Sequence, residues 1–406
     1  MIKFINSHFA KFVIIGVVLQ LILALTTYHP DVRAFVLASK FINSGEITSF
    51  YDHVSNLSGT DPIKKIYHDD IFIYPPVGYL ASALVYLPFN RFTSALTDRF
   101  LLDDNAFLKQ QIFSPLLLVY KLPSLIGSWL TLWLIMKLFQ SKEKAGLAGV
   151  LWLFNPVTLL VSSVMGQSDT FVVFFILLAF YLGKTNRPVW SNIALGLSAL
   201  VKPVALILIP ILAIEAYKKG GLKSALKNVI VGLGIFLIGI FPYLPSPAFK
   251  MYALLATHTN KSIQAGIEIA SGNVIPWYFI VISLLVFIIL YRKINTLSVF
   301  LIALFGSLAF NHFHPQWFLW VVPLLIIYAI ERQRFVFYAI LILSWSLVWL
   351  SFDPSLHLGS FLILRDLFPP TMNSPLNIPV LVSLARSAIA ASLIFLLYDS
   401  RKVLMK

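Results

Sequence analysis

The stretch from Thr26 to Arg33, TTYHPDVR, places a carboxylate directly after the first long apolar run of the chain. Asp31 is therefore expected at a membrane edge, where the headgroup of a lipid substrate would lie. A carboxylate there can act as a general base toward a hydroxyl group. It can equally cap the free amides of a following helix, so this segment alone leaves both interpretations open.

Polar side chains recur at the predicted outward ends of other apolar runs, and each has a structural as well as a chemical explanation. Asp169 can cap the span that follows it, and Tyr74 precedes two prolines, as a turn residue does. His314 can be an interfacial residue beside Trp317. Together with Asp31, the candidate site consists of the substrate-binding candidates Tyr74, Asp70, Gln167, Asp169, Lys202, His314, Gln316 and Arg386.

Two of these candidates are cations within apolar runs. Lys202 precedes Pro203, and an ammonium group at a helix break inside a membrane is costly and typical of a pathway or an anion site. Arg386 lies near the start of the last apolar run. It can bind an anion, or its guanidinium can snorkel outward to the lipid headgroups.

The composition places the chain among helical membrane proteins. With 59% hydrophobic and 12% charged residues, we expect an all-α polytopic fold and one integral membrane domain over residues 1–406. The absence of cysteine excludes disulfides, thiolate metal sites and thiol nucleophiles. The net charge of +14 is best explained by topology and contact with membrane lipids, so we expect no nucleic acid as a partner.

The apolar runs predict about ten full spans, with both termini cytoplasmic. Lysine and arginine cluster in the short linkers of one side. Of the 17 acidic residues, all but Glu143, Glu215, Glu331 and Asp399 fall on the other side. The predicted spans are residues 12–28, 116–138, 145–164, 170–183, 226–243, 274–291, 297–311, 317–330, 335–352 and 379–398.

Two further segments shape the outer face. Residues 29–115 form a long first outer loop, in which we expect surface helices at 32–44 and 76–90. Residues 193–217 begin and end beside cytoplasmic lysines, which predicts a broken, re-entrant helix pair that turns at Lys202 and Pro203. Irregular backbone at membrane depth surrounds a protein-lined or wet cavity. We therefore expect the active site on the extracytoplasmic or luminal face.

The order of these motifs resembles a known family. They are Asp31 after the first span, Tyr74-Pro75-Pro76, Asn155-Pro156, Gly166-Gln167-Ser168-Asp169, Lys202-Pro203 and His314-Pro315-Gln316-Trp317. The set is similar to the polytopic GT-C glycosyltransferases, particularly the polyprenyl-phosphate-mannose-dependent and PIG-M-like mannosyltransferases, across residues 12–330. The resemblance implies transfer of mannose or another hexose from a polyprenyl-phosphate donor to a lipid or glycan acceptor. Asp31 matches the loop aspartate proposed in that family as the base or a metal contact.

The chain departs from the family at one point. Many relatives carry an Asp-x-Asp pair where this sequence has His29-Pro30-Asp31. A His/Asp pair can hold a divalent cation, but a single carboxylate is a poor basis for one. We therefore expect no required metal and no other cofactor.

An inverting transfer needs one base near the acceptor hydroxyl and cations near the departing phosphate. Asp31 is the predicted base, and Lys202 and Arg386 are the first candidates for the phosphate, ahead of Arg33 and Lys40. The remaining candidate side chains can hydrogen-bond or stack against the sugar.

Three other functions remain open. The first is a lipid or solute transporter or flippase without chemistry, and the second is an outer-face glycan ligase or polymerase. The third is a hydrolase, which would need folding to bring Asp31 together with Asp70 or Asp169, since most glycosidases use two carboxylates.

Overall fold

The computed structural model is almost entirely helical. It describes residues 7–102, 110, 113–255, 265–269, 272–311, 314–351, 353, 356–367 and 378–401. The first part of the chain contains α1 (Phe9–Thr26), α2 (Val32–Asn43), α3 (Phe50–Asn56), α4 (Pro62–Ile66), α5 (Pro76–Tyr86), a 3-10 turn (Leu87–Phe89) and α6 (Asn90–Leu101).

The middle and last parts continue the helical pattern. The middle part contains α7 (Phe113–Lys137), α8 (Lys142–Leu153), α9 (Pro156–Leu159), a π-helical turn (Leu160–Met165), α10 (Asp169–Lys184), α11 (Pro188–Ala199), a 3-10 turn (Pro203–Ile207) and α12 (Leu208–Ile240). A short antiparallel pair, β1 (Gly266–Glu268) and β2 (Val274–Pro276), follows. The last part contains α13 (Trp277–Tyr291), α14 (Thr296–Phe310), a 3-10 segment (Pro315–Trp320), α15 (Val322–Arg332), α16 (Phe335–Leu350) and α17 (Ile378–Arg401).

The structure confirms the helical class and the helices within the predicted spans, but it does not confirm ten crossings. Within the described residues, four stretches are long and apolar enough to span a membrane: Phe9–Thr26, Phe113–Lys137, Pro203–Tyr243 and Ile378–Ser400. The bent pair Lys142–Leu153 and Pro156–Met165 adds a fifth if it is one span. Helices α13, α14 and α16 are apolar but shorter. A helix of 15 residues such as α13 reaches about 22 Å, less than the ~30 Å hydrocarbon core.

The predicted break at Lys202 and Pro203 is present. Helix α11 ends at Ala199, and α12 follows after the 3-10 turn that starts at Pro203. Helix α12 is itself interrupted, because Gly220 and Gly221 leave helical geometry and Gly221 has a φ of 69°. That left-handed conformation favours glycine.

The two halves of α12 fold back on each other. Ile209 packs against Gly232, and these residues lie at matching distances before and after the break. The backbone of Gly232 in turn approaches Gly196 of α11. The Lys202 break therefore lies at one end of this three-armed unit, and the glycine turn lies at the other.

Helix α7 lies at the centre of the bundle. Its buried side chains pack against α1, α8 and α10, and its N-terminal half also contacts α5. Small residues allow the close approach, since a Cβ at Gly127 would meet Thr170 at 2.5 Å. Because helices pack closely where small residues face each other, the start of α10 is held against the middle of α7.

The first loop confirms the predicted helices at α2 and α5. Helix α2 is more enclosed than a helix lying flat on a membrane. Val36, Leu37 and Ser39 are buried in addition to the apolar face of the helix, which consists of Val32, Phe35, Ala38, Phe41 and Ile42. Helices α5 and α6 pack over α2 and cover these residues. The loop is therefore a packed helical layer.

The predicted topology can be tested by labelling cysteines introduced into the cysteine-free chain. Ser58 and Ser141 are both exposed, and the charge asymmetry predicts that they face opposite sides of the membrane. Ser58→Cys should react with a membrane-impermeant maleimide on intact cells or right-side-out vesicles. Ser141→Cys should react only after permeabilisation. Labelling of Ser141→Cys from outside would show that residues 76–90 cross the membrane.

Candidate active site

Asp31 occupies the N-cap position of α2, yet its side chain makes no hydrogen bond to the amides of that helix. Instead, its Oδ2 accepts a hydrogen bond from Nε2 of Gln167 at 2.6 Å. The side chain remains 40% exposed. A capping carboxylate would bond the second or third amide of the helix. The Asp31 side chain therefore does not act as a helix cap in this structure.

The local backbone explains how Gln167 reaches Asp31. A π-helical turn ends at Met165, and Gly166 follows with a left-handed φ of 69°. A side chain at Gly166 would collide with Lys121, whose Cγ lies 2.8 Å from the Cβ position. The Gln167 carbonyl accepts a hydrogen bond from Ser124 Oγ at 2.9 Å. This contact fixes the backbone to α7 and leaves the amide side chain to meet Asp31.

A buried lysine fixes the chain just before Asp31. The Nζ of Lys121 donates to the carbonyl of Thr27 at 2.6 Å, to its Oγ1 at 2.9 Å and to the carbonyl of Ala24 at 3.3 Å. A cation is favourable there, because carbonyls at a helix C-terminus carry partial negative charge. Lys121 therefore holds the end of α1 in place.

His29 and the segment around Ser360 complete this support. The amide of Tyr28 donates to the carbonyl of Ser360 at 2.7 Å. His29 is buried, and its Nδ1 accepts from the Asp31 amide at 3.3 Å. Burial lowers the pKa of His29, although the nearby Asp31 carboxylate opposes that shift. The imidazole is therefore neutral at pH 7.

Asp169 and Lys202 form a buried ion pair behind Asp31. The Lys202 Nζ donates to Asp169 Oδ2 at 2.6 Å, and the two side chains are only 4% and 0% exposed. The other carboxylate oxygen, Oδ1, accepts from Trp320 Nε1 at 2.7 Å. Both oxygens of Asp169 are therefore hydrogen-bonded to other side chains. The side chain does not cap the helix that follows it, as the sequence had also allowed.

Tyr74 covers the ion pair from the first loop. The Lys202 Nζ lies 4.1 Å from the centroid of the Tyr74 ring, a cation–π contact. The amide of Val77 donates to the Leu200 carbonyl at 3.0 Å and so attaches the start of α5 to the Lys202 turn. Burial, followed by the Asp169 and Asp31 charges, raises the pKa of Tyr74 well above its usual value. Its hydroxyl is therefore a neutral hydrogen-bonding group.

A cavity of about 540 Å³ opens beside Asp31. Its walls bring together most of the candidates from the sequence: Asp31, Asp70, Tyr74, Gln167, His314 and Gln316, with Arg33 and Trp317. The rings of Trp317 and Trp320 stack with centroids 5.3 Å apart. An open polar space with aromatic walls and one fixed carboxylate is typical of a binding site for a polar small molecule.

Arg386 does not line this cavity. It lies in α17, which packs against α14 and α16. His312, two residues before His314, lies outside the described residues.

Two arginines flank Tyr28 near Asp31. The guanidinium of Arg33 lies 5.5 Å from the Tyr28 ring centroid, and that of Arg365 lies 5.1 Å from it. Arg33 also lies 5.4 Å from the Phe100 ring. Arginine is suited to bidentate contact with phosphate. The sequence placed Arg33 behind Lys202 and Arg386 as a ligand for the donor phosphate, and it did not single out Arg365.

The described residues contain no cluster of three or more histidine, cysteine, aspartate or glutamate side chains suited to a metal ion. At Asp31, the His29 Nδ1 lies 3.5 Å from Oδ1, and an amide N–H group of Gln167 occupies the approach to Oδ2. A cation at Oδ2 would face that N–H group.

Residues 106–218 match a family model described as the N-terminal domain of the alpha-(1->6)-mannopyranosyltransferases, the MptA_B family. The match supports a membrane mannosyltransferase of the GT-C type. The matched segment contains Gln167, Asp169 and Lys202, whereas Asp31 and Tyr74 precede it. No curated protein matches the chain.

The structure shows supporting roles that the sequence did not indicate. Lys121 interrupts an apolar span, so the argument that singled out Lys202 applied to it as well. Trp320 was expected as a stacking face for the sugar, whereas its Nε1 bonds to Asp169. Arg365 had no comparable signal, because its role depends on which side chains it faces.

The buried ion pair yields a stability prediction. Lys202→Met should lower the free energy of unfolding of the protein by about 3–5 kcal/mol, because it leaves Asp169 buried and unpaired. The double variant Lys202→Met/Asp169→Asn should recover part of this loss. Thermal unfolding in detergent would measure both effects.

Lys40→Met is the matched control, because Lys40 forms an ion pair with Asp98 that is about half exposed. Such pairs contribute about 0–1 kcal/mol. If Lys202→Met unfolds at the wild-type temperature and loses donor binding, the lysine is a ligand group and the pair is not a structural requirement.

Proposed function

We propose that this protein is a mannosyltransferase that transfers mannose, with inversion, from a polyprenyl-phosphate donor to a hydroxyl of a glycan or lipid acceptor on the outer membrane face. One observation carries the proposal: a partly exposed carboxylate, Asp31, is fixed by Gln167 at the wall of a polar cavity. The family description suggests an α-(1→6) linkage as the product.

Asp31 is the general base of the proposed reaction. The acceptor hydroxyl gives its proton to the carboxylate, and its oxygen attacks the anomeric carbon of the donor. The bond from that carbon to the phosphate oxygen breaks, and the polyprenyl phosphate leaves with the electron pair. The hydrogen bond from Gln167 holds one carboxylate oxygen so that the other can face the acceptor, and this pre-organisation lowers the barrier.

Arg33 and Arg365 are the cations we propose for the donor phosphate. Arg33 lines the cavity with Asp31, and Arg365 lies on the same tyrosine ring. Lys202 is neutralised by Asp169. Its predicted role in phosphate binding stays a prediction, as does that of Arg386, and the stability experiment above separates the alternatives for Lys202.

The sugar is held by the polar and aromatic walls of the cavity. Gln316, His314 and Asp70 can hydrogen-bond its hydroxyls, and the ring of Trp317 can stack against a face of the sugar. Asp169 is buried with both oxygens engaged. We propose that it positions Lys202 and Trp320 and does not contact the sugar itself.

We propose that no metal takes part. The donor leaves as a phosphate anion that two guanidinium groups can stabilise, so a Lewis acid is not required for charge balance. The contact between Gln167 and Asp31 supports this, because an amide N–H stabilises the carboxylate where a cation would otherwise do so.

The remaining functions are separated by one assay. Purified protein with donor should release free polyprenyl phosphate only when an acceptor is present. Release without acceptor would indicate a hydrolase, which Asp31 and Asp70 could support as two carboxylates of one cavity. Movement of donor across a vesicle membrane without release would indicate a transporter. A requirement for an intact lipid-linked glycan as donor would indicate a ligase or polymerase.

Replacing Asp31 tests the catalytic proposal. Asp31→Asn keeps the size of the side chain but removes the proton acceptor, so kcat should fall by about 10²–10⁴-fold while donor binding remains. Asp31→Glu should also be impaired, because it displaces the carboxylate from its aligned position. Steady-state transfer assays and equilibrium binding of the donor would measure these effects.

Asp70→Asn is the matched control, since it makes the same chemical change in the same cavity. It should raise KM and leave kcat within about tenfold of the wild-type value, as expected when a substrate contact is lost. Near-wild-type turnover by Asp31→Asn would rule out Asp31 as the general base.

A further inference from the structure

A second polar recess lies in the first loop, apart from the Asp31 cavity. This α2–α6 groove, of about 240 Å³, is formed between α2, α6 and the adjoining parts of α5 and α7. Its lining includes hydroxyl and amide groups within a surface that is otherwise mostly apolar: Ser39, Asn43, Asn90, Thr93, Ser94 and Thr97. Neutral donors and acceptors with apolar surface between them match a ligand that carries hydroxyl groups on an apolar frame.

The charges of the groove cancel. Its charged lining residues, Lys40 and Asp98, form an ion pair at 2.7 Å. An anionic headgroup would find no unpaired cation among these residues. The charge balance therefore favours a neutral ligand.

The groove combines a fixed frame with side chains that can bind a ligand. The Thr97 and Tyr120 hydroxyls are hydrogen-bonded at 2.7 Å, and Asn43 donates to the Ala83 carbonyl at 3.2 Å. Within the described part of the chain, the side chains of Asn90 and Ser94 make no hydrogen bond. Tyr86 and Tyr120 add aromatic surface to the lining. A rigid frame with two available polar groups lowers the entropic cost of binding a polar ligand.

One row of residues on α2 runs from the Asp31 cavity to the groove. Arg33, Val36, Lys40 and Asn43 follow a spacing of three or four residues and so share a face of the helix. Arg33 lines the Asp31 cavity, and the other three line the groove. Nine residues of helix separate Asp31 from Lys40, a distance of about 13 Å. A chain of a few sugar residues spans that distance.

We propose that the α2–α6 groove binds an inner part of a neutral acceptor glycan while its terminal hydroxyl lies at Asp31. The groove then sets the preferred length of the acceptor. This inference rests on the proposed function for its biological meaning, but the binding it asserts is measurable without turnover.

Binding of two α-(1→6)-linked mannose oligosaccharides to the purified full-length protein tests the proposal. Ser94→Trp fills the groove, and it should raise the Kd of mannohexaose by about tenfold or more. The same variant should leave the Kd of mannobiose unchanged, because the disaccharide reaches only the Asp31 cavity. Ala95→Trp is the matched control, since Ala95 is exposed on the same helix but does not line the groove.

Transfer kinetics provide a second test of the groove proposal. Ser94→Trp should raise KM for mannohexaose and leave kcat and the KM for mannobiose at wild-type values. If the wild-type protein transfers no mannose, the proposed function is wrong. The oligosaccharide-binding measurements still test whether the groove binds a glycan. Equal affinity of wild type and Ser94→Trp for mannohexaose, in a folded variant, would overturn the groove proposal. Equal weakening by Ala95→Trp would overturn it as well.

Discussion

The buried ion pair between Asp169 and Lys202 is the interaction on which the arrangement of the site depends. Each ion would be strongly unfavourable alone in an apolar bundle, so the start of α10 and the break after α11 must stay in register. Trp320 adds a third element through its bond to Asp169, and Tyr74 adds a fourth through its ring contact with Lys202. Gln167, two residues before Asp169, is thereby placed where it can hold Asp31.

The site thus combines buried polar contacts that organise it with an accessible carboxylate, Asp31, at the wall of the cavity. Lys121 and Lys202 are both buried, but their partners differ: Lys121 contacts carbonyl and hydroxyl oxygens at the end of α1, and Lys202 contacts a carboxylate. Asp31 is bonded by a neutral amide and stays exposed to the cavity. Asp31 is therefore held in place while part of its carboxylate stays open to the cavity.

Much of this arrangement was predictable from the sequence. Apolar runs and basic linkers predicted the helices, and the position of Asp31 after the first run predicted its place at one end of the bundle. The Lys202-Pro203 break followed from the steric and hydrogen-bonding limits of proline. Tyr74, Gln167, His314 and Gln316 were expected near Asp31, and all of them line its cavity.

The pairings were not predictable, for a physical reason. Hydropathy and periodicity give the presence of a helix, but they do not give its rotation or its neighbours. The sequence therefore offered Asp169 and Lys202 as separate substrate contacts, whereas the structure joins them. It ranked Arg386 above Arg33, although only Arg33 lines the Asp31 cavity. The count of ten spans also went beyond what the helix lengths show.

The central claim is that Gln167 acts by holding Asp31 as the base, and a double-mutant cycle in kcat tests it most directly. Gln167→Leu should lower kcat by about 10-fold or more in the wild-type background, because it removes the bond to Oδ2. In the Asp31→Asn background, the same change should alter kcat by less than about twofold, since there is no base left to position. Equal losses in both backgrounds would contradict the account and show that the two residues act independently.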